Sequence, residues 1–289
     1  MKTVCIYHSR DLDGWMSGAI VRMKYPEVEL VGWDYGMPYP EIEEGASVVM
    51  ADISFPMPIM LDVAKKSGWK LTCIDHHASA IKEYEEFTAG SETFMSTSLN
   101  SKFAACELTW QYFFKNEPIP EMVRLLGRYD CFGHKGTDEE QKVLEFQYGA
   151  RSVIRNTQEA YEYLTNNHVS YDFVQYTDAT DRILDMGRAI YKYLCTEVEQ
   201  KYAKRFDIIL DVYKFGCVND WRLNPVNFGI DYHNDGYDGF ACFWYENGQF
   251  VYSLYNDNGM VDCSVIAKAR GGGGHKGASG FRSNTIIEE

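Results

Sequence analysis

Short apolar runs alternate with amphipathic stretches over roughly the first ninety residues of the chain. The runs are too short for typical helices, and their β-branched and aromatic residues favour buried strands. Strands that alternate with helices predict a mostly parallel sheet, which is the pattern of an α/β domain. The predicted strands are TVCIYH, VELVGW, ASVVMAD and KLTCID, and the predicted helices span residues 14–25, 56–66 and 78–87.

The pattern changes twice in the rest of the chain. It becomes helical from residue 101 to about 164, and a long helical pattern over 172–205 predicts a connector. The tail predicts a smaller α+β domain, with FDIILDVY as a strand, FACFWYENGQFVYSLYN as a hairpin turning at Asn247-Gly248, and DCSVIAKA as a helix. We therefore expect a domain over 1–175, a helical connector over 176–205 and a second domain over 206–289.

Composition narrows the class of protein without changing this organisation. Hydrophobic residues make up 45% of the 289 residues, which supports a real core. No apolar run approaches the roughly 18–20 residues that span a bilayer, and charged residues follow the first methionine too closely for a signal peptide. The eight cysteines are scattered, without a Cys-x-x-Cys pair, as in a reduced cytoplasmic protein that has neither a disulfide framework nor a zinc-thiolate site.

The net charge of −14 bears on the partners of the chain. A surface that binds an extended nucleic-acid duplex needs clustered Lys and Arg to contact phosphates. The net negative charge of this chain is therefore unlike that of duplex-binding proteins. Some of its acidic residues are expected to be metal ligands instead. We expect a small or local phosphate substrate, no extended duplex and no membrane partner.

His and Asp side chains follow several of the predicted strands. Because the carboxyl ends of parallel strands share one edge of a sheet, we expect these side chains to converge there. Each alone has a simpler explanation as a turn, a helix cap or a satisfied structural residue. Together, carboxylates and imidazoles without thiolate suit a hard or borderline divalent ion, and shared carboxylates fit a two-metal centre. The candidates are His8, Asp11, Asp13, Asp52, Asp75-His76-His77 and Asp130.

A basic island surrounds the glycine run of the tail. Residues 268–282 contain no acidic residue, and consecutive glycines allow backbone N–H groups to approach an anion closely. A flexible linker is the alternative explanation of four glycines. The ordered pattern on both sides favours an anion-binding segment.

The motifs HSRDLDG, ADIS, DHH and GRYDCFG, in this order, and the later GGGGHKGASGF resemble those of the DHH phosphoesterases that carry a C-terminal DHHA1 domain. The resemblance covers nearly the whole chain. It implies a catalytic DHH domain joined by a helical connector to a DHHA1 substrate-binding domain. It also implies two divalent ions, with Mn²⁺ favoured and Mg²⁺ or Co²⁺ as alternatives.

The resemblance assigns a role to each candidate. His8, Asp11 and Asp52 would hold one ion, and Asp13, Asp52, His76 and Asp130 the other. Asp52 and His77 would be the catalytic pair, with Asp52 bridging the ions and His77 contacting the scissile phosphate. The remaining substrate-binding residues would be Arg270, Gly272, Gly273, Gly274, His275 and Lys276.

The implied function is a manganese-dependent phosphodiesterase, similar to a 3′-5′ exoribonuclease. Its substrates would be short single-stranded oligoribonucleotides or linear dinucleotides, hydrolysed to mononucleotides by metal-activated water. The same centre also suits an inorganic pyrophosphatase or polyphosphatase, or an adenosine 3′,5′-bisphosphate phosphatase. A nucleotide-binding regulator without catalysis is the non-enzymatic alternative. The glycine-rich tail counts against a pyrophosphatase, and the complete ligand set counts against a regulator.

Overall fold

A computed structural model describes residues 2–90, 93–165, 179–221 and 223–287, and the chain divides into two compact units, 1–190 and 191–289. Unit 1 contains a five-stranded sheet in the order β2-β1-β3-β4-β5 in which every pair is parallel. The strands are β1 Thr3–His8, β2 Glu29–Trp33, β3 Ser47–Ala51, β4 Leu71–Asp75 and β5 Ser96–Leu99.

Helices cover both faces of this sheet. One face packs on α2 and α3, and the opposite face packs on α1 and α4. A second core lies among α1 and α4 to α7, with the start of α8. Burial on both faces explains why β1, β3 and β4 are continuous apolar runs instead of alternating ones. The helices are α1 Leu12–Lys24, α2 Met57–Lys66, α3 Ala78–Thr88, α4 Ala105–Phe113, α5 Glu121–Asp130, α6 Glu140–Val153, α7 Thr157–Leu164 and α8 Ala179–Tyr202.

The connection from β1 to α1 is unusually tight. Asp11 caps α1, and its side chain accepts a hydrogen bond from the N–H of Gly14. A Cβ atom at Gly14 would lie 1.9 Å from the carbonyl oxygen of His8, so only glycine fits. This close approach holds the first turn of α1 against the end of β1, where His8 and the two aspartates of the motif lie.

Unit 2 is built on a six-stranded mixed sheet in the order β10-β11-β9-β8-β7-β6, in which only the β7–β8 pair is parallel. At the β8–β9 turn, Asn247 and Gly248 have φ values of 52° and 86°, as a type I′ turn requires. The strands are β6 Phe206–Leu210, β7 Tyr213–Asn219, β8 Gly239–Glu246, β9 Gln249–Tyr255, β10 Gly273–His275 and β11 Ala278–Ser283, and helix α9 spans Cys263–Lys268.

The predicted fold class, an α/β parallel-sheet domain followed by a smaller α+β domain, is confirmed. The single strand predicted over FDIILDVY is wrong, because the chain turns at Asp211, which has a φ of 59°, and continues as β7. Strand β5 was missed because its residues, STSL, are mostly polar. Residues 172–178 of the predicted long helix lie outside the described residues, and the domain limits at 175 and 206 stay predictions.

None of the described helices combines the length and the apolar character that crossing a membrane requires.

Candidate metal centre

Seven of the predicted site residues lie together at the carboxyl edge of the parallel sheet in unit 1. They come from the ends of β1, β3 and β4, from the start of α1 and from the last turn of α5. Parallel strands deliver the residues that follow them to one edge, so motifs far apart in sequence meet there. The seven residues are His8, Asp11, Asp13, Asp52, His76, His77 and Asp130.

Asp52 is the centre of this cluster. It is 1% exposed and directly follows β3, with a left-handed φ of 61° that asparagine and aspartate tolerate better than most residues. Its Oδ2 lies 3.4 Å from His8 Nδ1, and its Oδ1 lies 3.4 Å from His76 Nε2 and 4.0 Å from His77 Nδ1. Asp52 Oδ1 is buried and has no hydrogen-bond partner among the described residues, so one acceptor of the central carboxylate remains to be satisfied.

One side of the cluster is formed by the motif that follows β1. His8 Nδ1 lies 2.9 Å from Asp11 Oδ2, and with Asp52 these residues form one group whose potential ligand atoms lie within 4.8 Å of one another. Asp11 thus serves two purposes, because its other oxygen caps α1. The fold therefore brings together the three residues predicted to hold the first ion.

The other side is formed around His76. Its Nε2 lies 3.3 Å from Asp130 Oδ2 and 3.6 Å from Asp13 Oδ2. Asp13 is 4% exposed, and its two oxygens accept hydrogen bonds from the backbone N–H groups of Ala105 and Cys106 at the start of α4. The carboxylate of Asp13 is therefore fixed in place by a helix some ninety residues further along the chain.

Asp75 fixes the tripeptide Asp75-His76-His77. It is fully buried, and its Oδ1 accepts hydrogen bonds from the backbone N–H groups of His76 and His77 at 2.7 and 3.1 Å. The same oxygen lies 2.7 Å from His77 Nδ1. Asp75 thus orients its neighbours without entering any of the ligand groups.

The crowding of these groups changes their proton affinities. Burial, followed by the charge of Asp52, raises the pKa of Asp13 to about 7. Burial, followed by the charge of Asp13, also raises the pKa of Asp130 to about 7. Burial lowers the pKa of His8, but hydrogen bonds with Asp11 and Asp52 outweigh it and raise this pKa to about 10. The cluster therefore holds protons where a cation would otherwise balance its negative charge.

Two further residues belong to the cluster and were missed. Asp34 directly follows β2, and its Oδ1 lies 3.6 Å from His8 Nε2. The rule that found Asp52, an acid at a strand end, would have found Asp34 as well. Cys131 Sγ lies 3.7 Å from His76 Nδ1 and groups with His76 and Asp130. Its only signal in the sequence was its place next to Asp130.

The donor set fits divalent cations. Carboxylate oxygens and imidazole nitrogens predominate, which suits Mn²⁺ or Mg²⁺ better than a soft metal ion. Two three-residue groups share Asp52, one with His8 and Asp11 and the other with His76 and His77. A buried carboxylate that two such groups share, with one oxygen unsatisfied, fits a pair of cations.

The predicted substrate-binding residues of the tail lie in unit 2 and stay predictions. Arg270 lies on the C-terminal side of α9, where its guanidinium pairs with Asp211 Oδ1 at 2.7 Å and donates to the carbonyl oxygen of Ile266. His275 and Lys276 are exposed.

The glycine run itself forms β10 and the turn before it. Cβ atoms at Gly272 and Gly274 would lie 2.0 Å from Gly280 O and 2.5 Å from Ser279 Cα, so β11 requires glycine at both positions. Packing therefore explains two of the glycines independently of any ligand.

Comparison with known proteins supports the fold. No protein-family model matches this sequence. An uncharacterised protein of Acanthamoeba polyphaga mimivirus is 24% identical over 249 residues, which cover 83% of this chain and 54% of that protein. This chain thus spans about half the length of that curated relative.

Two solved structures share the fold across nearly the whole chain. The pGpG-specific phosphodiesterase PggH from Vibrio cholerae has a TM-score of 0.53 at 12% identity and covers 98% of this chain and 93% of its own. An exopolyphosphatase-related protein from Bacteroides fragilis has a TM-score of 0.50 at 14% identity and covers 99% and 88%. The fold that the sequence resemblance implies is thereby confirmed.

The raised pKa values predict an unusual dependence of stability on pH. Asp13 and Asp130 bind protons in the folded protein up to about pH 7, whereas an unfolded chain releases them near pH 4. His8 holds its proton up to about pH 10, against about 6.5 when unfolded. The folded state therefore binds more protons than the unfolded state, and the metal-free protein should lose stability as the pH rises from about 5.5 to about 8.5.

Urea unfolding at about pH 5.5 and about pH 8.5, each with EDTA and with Mn²⁺, measures the free energy of unfolding and tests this prediction. Manganese should stabilise the protein more at the higher pH, where fewer protons compete for the ligands. Asp130→Asn should weaken the pH dependence of the stability of the metal-free protein. Asp62→Asn, at an exposed position, is the matched control and should leave this dependence unchanged. Equal stabilisation by manganese at both pH values would contradict the assignment.

Proposed function

We propose that this protein is a metal-dependent phosphoesterase that acts at the cluster around Asp52. The observation that carries the proposal is the set of carboxylates and imidazoles that share this buried aspartate. Charges this close are stable together only when cations or protons compensate them. Bound divalent cations would supply Lewis-acid stabilisation and an activated water for attack on a phosphorus atom.

The residues of the cluster have different roles in this reaction. His8, Asp11 and Asp52 would hold one cation, and Asp13, Asp52, His76 and Asp130 would hold the other. His77 contacts the scissile phosphate, where its ring, fixed by Asp75, donates a hydrogen bond and stabilises negative charge. Burial lowers the pKa of His77, but the hydrogen bond and charge of Asp75 outweigh it and raise this pKa, so the ring is an imidazolium. Its Nδ1–H donates to Asp75, and its Nε2–H is held in one orientation to donate to the phosphate.

The substrates are short oligoribonucleotides or linear dinucleotides, which the enzyme hydrolyses to mononucleotides with manganese as the favoured ion. The shared fold of a pGpG-specific phosphodiesterase supports a linear dinucleotide. The net charge of −14 disfavours long nucleic acids, which require extended basic surfaces. The exposed side chains of His275 and Lys276, together with Arg270, contact the part of the substrate that is not cleaved.

A phosphatase acting on inorganic polyphosphate or pyrophosphate is the second candidate. The shared fold of an exopolyphosphatase-related protein favours it, and the metal centre would serve both reactions. Adenosine 3′,5′-bisphosphate is a third substrate that the same centre suits. These alternatives differ in whether the substrate carries a base and in how many phosphates it contains.

A substrate panel with Mn²⁺ tests the proposed function. The panel contains di- to pentaribonucleotides, linear and cyclic dinucleotides, adenosine 3′,5′-bisphosphate, pyrophosphate and polyphosphate. We expect the highest kcat/KM for linear dinucleotides and short oligoribonucleotides, with mononucleotides as products. Turnover of pyrophosphate or polyphosphate without turnover of any dinucleotide would favour the second candidate. No turnover of any member would reject the phosphoesterase.

Asp52→Asn tests the shared ligand. Asparagine tolerates the left-handed backbone at this position and preserves the size of the side chain, so the fold should persist. We expect kcat to fall at least about a hundredfold and manganese affinity to drop, because one charged ligand serves both cations. Calorimetric titration with Mn²⁺ and steady-state kinetics measure both effects. Asp62→Asn, on the exposed surface of α2, should match the wild type, and an active Asp52→Asn enzyme would contradict the role.

Arg270→Ala separates a substrate contact from a structural ion pair. If Arg270 grips the substrate, its loss should raise KM about tenfold or more while manganese affinity stays the same. Asp211→Asn breaks the same ion pair but leaves the guanidinium in place, so KM should not rise. Equal effects of both variants on stability, with no change in KM for either, would show that Arg270 is structural.

A further inference from the structure

A pocket of about 380 Å³ opens in unit 1 close to the metal cluster. Three of its lining residues lie next to cluster residues, two in sequence and one through a ring contact. Ser54 lies two residues after Asp52, Ser79 lies two residues after His77, and the ring of Tyr35 lies 6.4 Å from that of His8, centroid to centroid. The pocket and the metal cluster therefore share the carboxyl edge of the sheet. Its volume is within the range of about 300–1,000 Å³ typical of small-molecule sites.

Aromatic rings form the wall of this pocket and hold one another in place. Trp33 is 4% exposed and donates from Nε1 to the carbonyl oxygen of Pro38 at 3.0 Å. The ring of Tyr39 stacks on Trp33 at 5.8 Å with an angle of 14°, and Phe55 contacts both rings at 4.8 Å. These contacts fix the rings before any ligand arrives.

The same wall is open to solvent. Tyr35 is 59% exposed and Tyr39 is 46% exposed, and Met37 between them is 49% exposed. Exposed aromatic surface that is rigid and concave is more typical of a ligand site than of a folded surface with no partner. A flat aromatic ligand would bury this surface by stacking on it.

The polar groups of the pocket restrict the ligand further. No lysine or arginine occurs among the described residues that line it, so it offers no basic side chain to a phosphate. Glu83 is the charged lining residue, and its Oε1 accepts a hydrogen bond from the N–H of Met57 at 3.0 Å, which holds the carboxylate in place. A carboxylate accepts hydrogen bonds from neutral N–H donors and repels anions.

We propose that this pocket binds a nucleobase of the substrate while the phosphate attached to that nucleoside lies at the metal cluster. Guanine is the favoured base, because its Watson–Crick edge presents two adjacent donors, N1–H and the N2 amino group, to the Glu83 carboxylate. The same edge of adenine places the acceptor N1 beside its amino group. This inference rests on the proposed function, which it deepens by requiring a base on the substrate. A chain of inorganic phosphates has nothing to place in an aromatic, acidic pocket.

Calorimetric binding of GMP and of ribose 5-phosphate, both with Mn²⁺, tests the pocket without relying on catalysis. The two ligands share a sugar and a phosphate and differ in the base. We expect GMP to bind at least tenfold more tightly. Tyr39→Ala and Tyr35→Ala should each reduce this preference about tenfold, the usual effect of losing one aromatic stack on a base.

Matched variants separate stacking from damage to the fold. Tyr39→Phe keeps the ring and should keep the preference for GMP. Tyr193→Ala removes a tyrosine of similar exposure, 63%, that lies outside the pocket, and it should match the wild type. Glu83→Gln should reduce discrimination between GMP and AMP, and unchanged discrimination would overturn the assignment of guanine.

The outcomes distinguish the pocket from the proposed function. Equal binding of GMP and ribose 5-phosphate, or full preference for GMP in both alanine variants, would overturn the base site. The phosphoesterase would still stand if the wild type hydrolysed the base-free diester bis(4-nitrophenyl) phosphate. Conversely, tyrosine-dependent GMP preference without hydrolysis of any phosphoester would support the base site and reject the catalytic proposal.

Discussion

The mutual repulsion of the closely spaced carboxylates around the buried Asp52 is the constraint on which the rest of unit 1 depends. Asp52 is buried within 3.4 Å of two imidazoles, and Asp11, Asp13 and Asp130 surround the same space. A protein gains nothing in stability by concentrating like charges unless protons or cations compensate them. The fold nevertheless uses the ends of three strands and of two helices to hold these carboxylates in place. Such a costly arrangement is best explained by cation binding.

Much of this arrangement was predictable from the sequence. The apolar runs that form β1, β3 and β4 end in His8, Asp52 and Asp75, and the geometry of a parallel sheet places strand ends together. Asp130 was different, because only the packing of α5 brings it within 3.3 Å of His76. The anchoring of Asp13 by the start of α4 depends on the same long-range packing. Contacts between segments ninety residues apart leave no local pattern in a single sequence.

Local chemistry also limited the predictions for the rest of the chain. Strand β5 is mostly polar, and the turn at Asp211 interrupts an apolar run without a glycine, so neither carried the usual signal. The glycine run shows the opposite difficulty. Its composition predicted an anion-binding segment, whereas contacts with β11 already require glycine at Gly272 and Gly274. Packing thus accounts for two of the glycines, while Gly273 and the exposed His275 and Lys276 are left for a ligand to explain.

The metal cluster and the aromatic pocket together define what the substrate must contain. The cluster would bind a phosphate through cations, and the pocket would bind a flat base by stacking aromatic rings on it. We propose that two cations share Asp52, and anomalous X-ray scattering at the manganese edge, from crystals grown with Mn²⁺, shows where they bind. Two peaks per chain are expected, one on each side of Asp52. A single peak, or peaks away from this aspartate, would contradict the shared site.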